Sequence, residues 1–191
     1  MSAYEDLMAF QRETEALGQI MGRLGWDQET MMPRGSAPQR AEEMAALEGV
    51  LHARRTDPKV GEWLAKADAS SEVDKAQLRL IKRSFERASK VPADLAQRLA
   101  KLTSASQGIW AQARQDEDVA AFLPTLKEVV ALKREEGAAL AAGGDVYDAM
   151  LQDYEPGASA QSLSAMFAAL RPRLTTLRDD VMASDQPADL D

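Results

Sequence analysis

The chain of 191 residues contains no cysteine and a single histidine, His52. Without cysteine there is no disulfide, no thiolate metal ligand and no cysteine nucleophile. One histidine cannot supply the zinc motif HExxH, which needs two, or the paired Glu-x-x-His motifs of a di-iron bundle. Because His52 is followed by the cations Arg54 and Arg55, we expect a surface or helix-end histidine. A Ser-His-Asp triad through His52 is formally possible, but no nucleophile elbow accompanies it.

Positive charge and aromatic residues are also scarce. The formal net charge is −8, and aromatics make up 5% of the chain. No basic stripe with interleaved aromatics is present, so nucleic acid is not an expected partner. No run of about 18 apolar residues could span a membrane. The first residues lack the charged and apolar regions of a signal peptide, and an acidic chain without cysteine suits the cytoplasm.

Apolar residues recur at helical spacing almost throughout. The first stripe steps 3-4-3-4-3 through Leu7, Phe10, Thr14, Leu17, Met21 and Leu24, and Gly25 is predicted to end that helix. The pattern predicts an all-α fold of about eight to ten helices over residues 1–183. Residues 184–191 form a polar tail, which we interpret as a linker or a frayed end.

Three further helix starts carry capping signals. Ser36 with Gln39 predicts a capping box, and Asp57 before Pro58 predicts an N-cap with proline at the first helical position. A third start is predicted at Ser71, three residues before Asp74.

Prolines and glycines predict the remaining boundaries. Pro92 starts a helix, and Pro124 restarts one after a short turn at 119–123, because proline is costly inside a helix. Gly143-Gly144 ends that helix, and Pro172 kinks or splits the last one.

The segment Gly25–Pro33, with the sequence GWDQETMMP, is rich in large and polar side chains. One interpretation is that Trp26, Met31 and Met32 fill a gap between two helices, while Asp27 and Thr30 bind free backbone donors. In the other, the polar groups face a cleft and contact a peptide. Tyr147–Gly157 is in the same way first a capped short helix and second a cleft wall.

Several carboxylates invite an acid–base interpretation. They are Glu42, Glu43, Glu135, Glu136, Asp148, Asp153 and Glu155. Paired carboxylates do such work only where burial separates their pKa values. Helical proteins carry many solvated carboxylates, and we favour that simpler interpretation here.

Six blocks in order resemble the carboxypeptidase Taq family of zinc metallocarboxypeptidases. They are GWDQETMMP at Gly25–Pro33, RTDPKVGEWL at Arg55–Leu64, ERASKVPADL at Glu86–Leu95, SASQGIWAQAR at Ser104–Arg114, FLPTLKEVVALKREE at Phe122–Glu136 and YDAMLQDYEPG at Tyr147–Gly157. The resemblance runs from about Tyr4 to Val181. Family members are roughly two and a half times longer, with the active site in a deep groove of one helical body.

The resemblance implies an N-terminal portion that builds one wall of the groove. The family's HExxH motif, its third zinc ligand and its substrate-gripping groups lie in the later half and have no counterpart here. We therefore assign no catalytic, cofactor-binding or metal-ligating residue to this chain, and zinc to the parent enzyme only. The parent would release C-terminal residues from peptides, and this chain alone is expected to be inactive.

The resemblance also implies a cytoplasmic homodimer. The stripe Leu7–Leu24 could contribute to such a contact, although we favour its packing within the chain. An alternative to the whole account is a stand-alone helical scaffold or dimerisation module without catalysis.

Overall fold

The computed structural model describes residues 2–184, and these contain helices and no strand. The α-helices are α1 (Ala3–Thr30), α2 (Ala37–Arg55), α3 (Pro58–Lys66), α4 (Glu72–Ala88), α5 (Ala93–Gln115), α6 (Val119–Ala141), α7 (Val146–Leu151) and α8 (Ala160–Ala183), and a short 3-10 helix, Arg34–Ser36, precedes α2. The all-α prediction is confirmed. The eight α-helices of the described residues lie at the lower end of the expected eight to ten, because the chain does not break at either internal proline.

The chain forms two compact units, Met1–Ala142 and Gly143–Asp191. In the first unit α2 packs along α5, α5 along α6, and α1 against α2 and α3. Its buried apolar residues are Leu7, Ala41, Leu51, Val60, Leu95, Leu99, Ala113 and Leu140. The second unit contains α7 and α8, and no residue between 143 and 184 is buried. That residues 1–183 form a single helical region stays a prediction. Residues 185–191 of the expected polar tail lie outside the described part of the chain.

The stripe Leu7–Leu24 packs within the chain, as we favoured. Leu7 and Thr14 are buried, and the other four members are half-buried. Arg54 of α2 reaches the same side of α1, where its guanidinium lies 4.0 Å from the centre of the Phe10 ring. It donates hydrogen bonds to Thr14 Oγ1 and to the Phe10 carbonyl, both at 3.0 Å. The Phe10 ring also meets the Trp63 ring of α3 at 5.5 Å.

The capping signals were correct at two of the three starts. Asp57 accepts a hydrogen bond from the Lys59 amide, and Ser71 with Asp74 forms a full capping box. The box predicted at Ser36 is wrong. Ser36 makes no capping hydrogen bond because its backbone is already helical, as the end of the short 3-10 helix.

Three predicted breaks are also wrong. Helix α1 continues past Gly25 to Thr30 and ends before Pro33, which disfavours helical backbone just upstream. Helix α6 starts at Val119, capped by Asp118, so that Pro124 lies near its start rather than at it. Helix α8 runs through Pro172 without the predicted split, and the alternative of a kink stays a prediction. None of the described helices is long and apolar enough to cross a bilayer.

Candidate functional site

The segment Gly25–Pro33 is mainly the last turn of α1, and Arg40 of α2 holds that turn in place. The Arg40 side chain is buried and donates to Asp27 Oδ2 at 2.6 Å and to Glu43 Oε2 at 3.0 Å. It also donates to the carbonyl of Leu24. The hydrogen bond with Asp27 is the main cause that raises the pKa of Arg40. Asp27 therefore anchors a neighbouring helix and does not bind loop donors as predicted.

Two further contacts join this region to α5. Gln28 donates to the Ser104 carbonyl at 2.7 Å and accepts from the Ser104 hydroxyl at 2.8 Å. Arg34 donates to Gln112 at 2.5 Å and to Gln115 at 3.0 Å. The polar residues of the segment thus align three helices.

Two of the three large apolar residues of the segment are exposed. Trp26 is 63% exposed and Met31 is 71% exposed, whereas Met32 is half-buried. The expectation that they fill a gap between helices is wrong for Trp26 and Met31. The reason is that the helix continues to Thr30, whose hydroxyl donates to the Trp26 carbonyl at 2.7 Å. Rotation along the helix carries Trp26 to the outer side.

The paired carboxylates lie in ion pairs. Glu42 pairs with Lys101 of α5, and Glu135 accepts from Arg98 at 2.8 Å. Glu136 accepts from Lys133 at 2.7 Å. Glu43 pairs with Arg40, as described above. Four of the predicted carboxylates therefore have ordinary structural partners.

A cleft of about 300 Å³ does collect titratable groups, and sequence reasoning missed one of them. Glu48, His52, Arg55 and Glu136 line it together with apolar side chains of α5. Glu48 accepts from Arg55 at 3.3 Å through both carboxylate oxygens. Burial raises the pKa of Glu48, and the charges of Arg55 and His52 oppose that rise. The 4-3 spacing of Glu48, His52 and Arg55 on one helix face was the available signal.

The residues of this cleft do not fit zinc. His52 is 8% exposed, so it is not a surface histidine, although it does lie in the last turn of α2. Its Nε2 lies 2.7 Å from the Val91 carbonyl oxygen, so this nitrogen is engaged in a hydrogen bond and does not bind a metal. Among residues 2–184 no group of three or more histidine, aspartate or glutamate side chains could hold a metal ion.

Tyr147–Gly157 contains α7, as the simpler interpretation expects, followed by turns. Asp145 caps α7 by accepting from the Asp148 amide at 2.8 Å. Asp148 in turn accepts from the Ala160 amide at the start of α8 at 2.7 Å. The Tyr147 and Tyr154 rings are exposed. Asp148 thus joins α7 to the start of α8.

A family model described as carboxypeptidase Taq (M32) metallopeptidase matches residues 6–190. The chain is 38% identical to thermostable carboxypeptidase 1 of Thermus thermophilus, covering 98% of this chain and 40% of that protein. It is 25% identical to thermostable carboxypeptidase 1 of Pyrococcus furiosus, covering 93% of this chain and 36% of that protein. The chain thus spans about 40% of the length of curated relatives that it matches.

Solved structures share the fold. The chain superimposes on Trypanosoma cruzi metallocarboxypeptidase 1 with a TM-score of 0.69 at 29% identity, covering 98% of this chain and 40% of that one. The M32 carboxypeptidase from Deinococcus radiodurans R1 gives 0.71 at 28% identity, covering 97% and 38%. The BsuCP crystal structure gives 0.86 at 22% identity, covering 98% and 38%, a likeness of fold alone.

Proposed function

Because this chain belongs to the carboxypeptidase Taq (M32) metallopeptidase family, we propose that it is the N-terminal part of a zinc-dependent metallocarboxypeptidase. The whole protein would hydrolyse peptides from their C-terminal ends. The match of the family model over residues 6–190 carries this proposal. It is joined by the observation that the matched relatives are much longer than the chain.

In this proposal the chain supplies structure and the remainder supplies chemistry. The remainder would hold the zinc, whose chemistry there would be the activation of a water for peptide hydrolysis. The residues described here position helices: Arg40 joins α1 to α2, and Gln28 joins α1 to α5. Trp26 and Met31 present apolar surface on the outer side of α1, where it can meet the remainder or a peptide.

Localisation and assembly are parts of the same proposal. We place the protein in the cytoplasm because the chain is acidic and contains no cysteine. The expectation of a homodimer rests only on the family resemblance. The packing of the stripe Leu7–Leu24 inside the first unit favours a dimer contact elsewhere.

The test joins residues 1–191 to the part of the Thermus thermophilus relative that this chain does not match. The fusion is given zinc and two peptides of one sequence, one with a free C-terminal carboxylate and one amidated. We expect release of the last residue from the free peptide only, and loss of that release with a chelator. A folded, zinc-loaded fusion that cleaves neither peptide, or both equally, refutes the proposal.

A second candidate function is a stand-alone helical scaffold or dimerisation module without catalysis. The two candidates differ in the reading frame after Asp191. Continuation for roughly 300 residues, as the chain's 40% share of its relative implies, with an HExxH motif supports the peptidase. A stop codon there supports the scaffold.

A further inference from the structure

The second unit leaves a long apolar stripe on α8 uncovered. Its members are Leu163, Phe167, Leu170, Leu174, Leu177 and Val181, and we call them the α8 stripe. Leu163 is half-buried, and the other five are between 44% and 63% exposed. Their 4-3-4-3-4 spacing is that of a helix that packs against another helix. An apolar helix face of this length in water normally marks an interaction surface.

Arginines line this stripe on both sides. When the stripe residues are taken as heptad positions a and d, Arg171 and Arg178 occupy e positions on one side of the stripe. Arg173 occupies a g position on the other side. Arg178 binds Asp179 at 2.6 Å, whereas Arg171 and Arg173 make no ion pair with any residue of the described range 2–184. A shallow groove along the same face is lined by Phe167, Leu170, Arg171, Leu174, Thr175 and Arg178.

The charges argue against a second copy of this chain as the occupant. In a parallel pair of α8 helices, Arg173 of one copy would face Arg178 of the other. In an antiparallel pair centred near Pro172, Arg171 and Arg173 would each face themselves. Like charges at these positions disfavour pairing, whereas acidic residues on a partner helix would complement the arginines.

We propose that the α8 stripe is the docking surface for an amphipathic helix with acidic flanks, supplied by the portion of the carboxypeptidase polypeptide that this chain does not span. The inference rests on the proposed function for the identity of that polypeptide. The missing 60% of the relative's length offers enough chain to cover the stripe. A covered stripe also supplies the buried core that residues 143–184 lack.

The test compares amide hydrogen exchange of α8 in the 191-residue chain and in the fusion with the remainder of the Thermus thermophilus relative. We expect the backbone amides of α8 to exchange at least about tenfold more slowly in the fusion than in the 191-residue chain alone. Leu170→Asp in the fusion returns α8 to the rate of the chain alone. The matched control is Ala165→Asp, an exposed position on the opposite side of α8 that adds the same charge, and it leaves the slow exchange intact.

Equal exchange of α8 in chain and fusion overturns the proposal, as does slow exchange in the fusion that Leu170→Asp leaves unchanged. The double variant Arg171→Glu with Arg173→Glu tests the role of the charges, and we expect it to speed amide exchange of α8 in the fusion. If the fusion does not fold, sedimentation of the 191-residue chain decides. A dimer that Leu170→Asp dissociates and Ala165→Asp does not identifies a second copy as the occupant and refutes the proposal, whereas a monomer at all concentrations supports it.

The outcomes separate this inference from the proposed function. A fusion that protects α8 but releases no residue from the peptide refutes the peptidase and leaves the docking surface standing. A fusion that releases the C-terminal residue while α8 stays unprotected refutes the docking surface and leaves the peptidase proposal standing.

Discussion

Arg40 is the side chain on which the position of the distinctive segment depends. It is buried, and its three contacts lie on two turns of α1 and one of α2. A planar guanidinium presents five N–H donors in a fixed fork, which suits a carbonyl and two carboxylates on two helices better than the compact ammonium of lysine does. The segment Gly25–Pro33 is therefore held by a residue outside it.

Arg40→Ala should lower the free energy of unfolding by about 2 kcal/mol, since it removes hydrogen bonds to charged groups at a buried position. Arg40→Lys should recover less than half of that loss. Urea denaturation measures both. The control Arg79→Ala, at an exposed position, should stay within about 0.5 kcal/mol of the parent. An Arg40→Ala variant as stable as the control would contradict this role.

Glu48 is the residue whose ionisation the fold opposes. Burial raises its pKa, so the folded state binds its proton more tightly than the unfolded state does. The ordinary pKa of glutamate is about 4.3. The contribution of Glu48 to the free energy of unfolding is therefore fully present below about pH 4 and falls as pH rises through the folded-state pKa.

Glu48→Gln removes that titration. The free energy of unfolding of the parent should fall relative to this variant as pH rises from about 4 to 7. Denaturation at several pH values gives the difference. Glu62→Gln makes the same change at an exposed site and serves as the control. A flat or rising difference for Glu48→Gln would show that burial is not the dominant cause.

At the scale of elements, the sequence predicted helices well and their ends unevenly. Asp57 and Ser71 were correct because their caps use neighbours within three residues. Gly25 failed as a stop because glycine ends a helix only where a left-handed backbone is needed, and α1 continues helically there. The candidate site shows the same limit. Arg40, Ser104 and Val91 lie far along the chain from Asp27, Gln28 and His52, and helical periodicity carries no information on such contacts.

Asp74 stabilises the start of α4 in the opposite pH sense to Glu48. Hydrogen bonds from Ser70, Tyr4 and Ser71 hold its pKa well below the usual range. Its contribution is therefore present above about pH 4 and is lost as pH falls. The Tm advantage of the parent over Asp74→Asn should shrink from pH 5 toward pH 2. Asp68→Asn is the exposed control, and an advantage that grows in acid would contradict the cap.

The end of α6 offers a test with opposite signs at adjacent alanines. Ala142 adopts a left-handed backbone with φ 47°, which glycine tolerates better, whereas Ala141 is still helical. Ala142→Gly should raise the free energy of unfolding by about 1 kcal/mol, and Ala141→Gly should lower it by about 1 kcal/mol. Urea denaturation of the two variants suffices. The same sign for both would mean that this cap is not formed.

At the scale of the whole molecule, composition excluded more than it identified. One histidine and no cysteine exclude the family's zinc motif from this chain, yet the arrangement of six sequence blocks resembles that family. The match over residues 6–190 and the shared fold bear out that resemblance. Which surfaces lack a partner was not predictable, because helical spacing marks an apolar face without showing what covers it. The α8 stripe and the stripe Leu7–Leu24 share the alternation of three- and four-residue steps, but the first is mostly exposed and the second is buried or half-buried.

We propose that this chain forms a structural part of a metallocarboxypeptidase whose chemistry lies in the remainder. The most direct measurement is release of the C-terminal residue from an unblocked peptide by the purified 191-residue chain, with zinc or cobalt added. We predict no release above the rate without protein, with or without a chelator. Robust release that a chelator abolishes would contradict the account, because it would require a metal site within these residues.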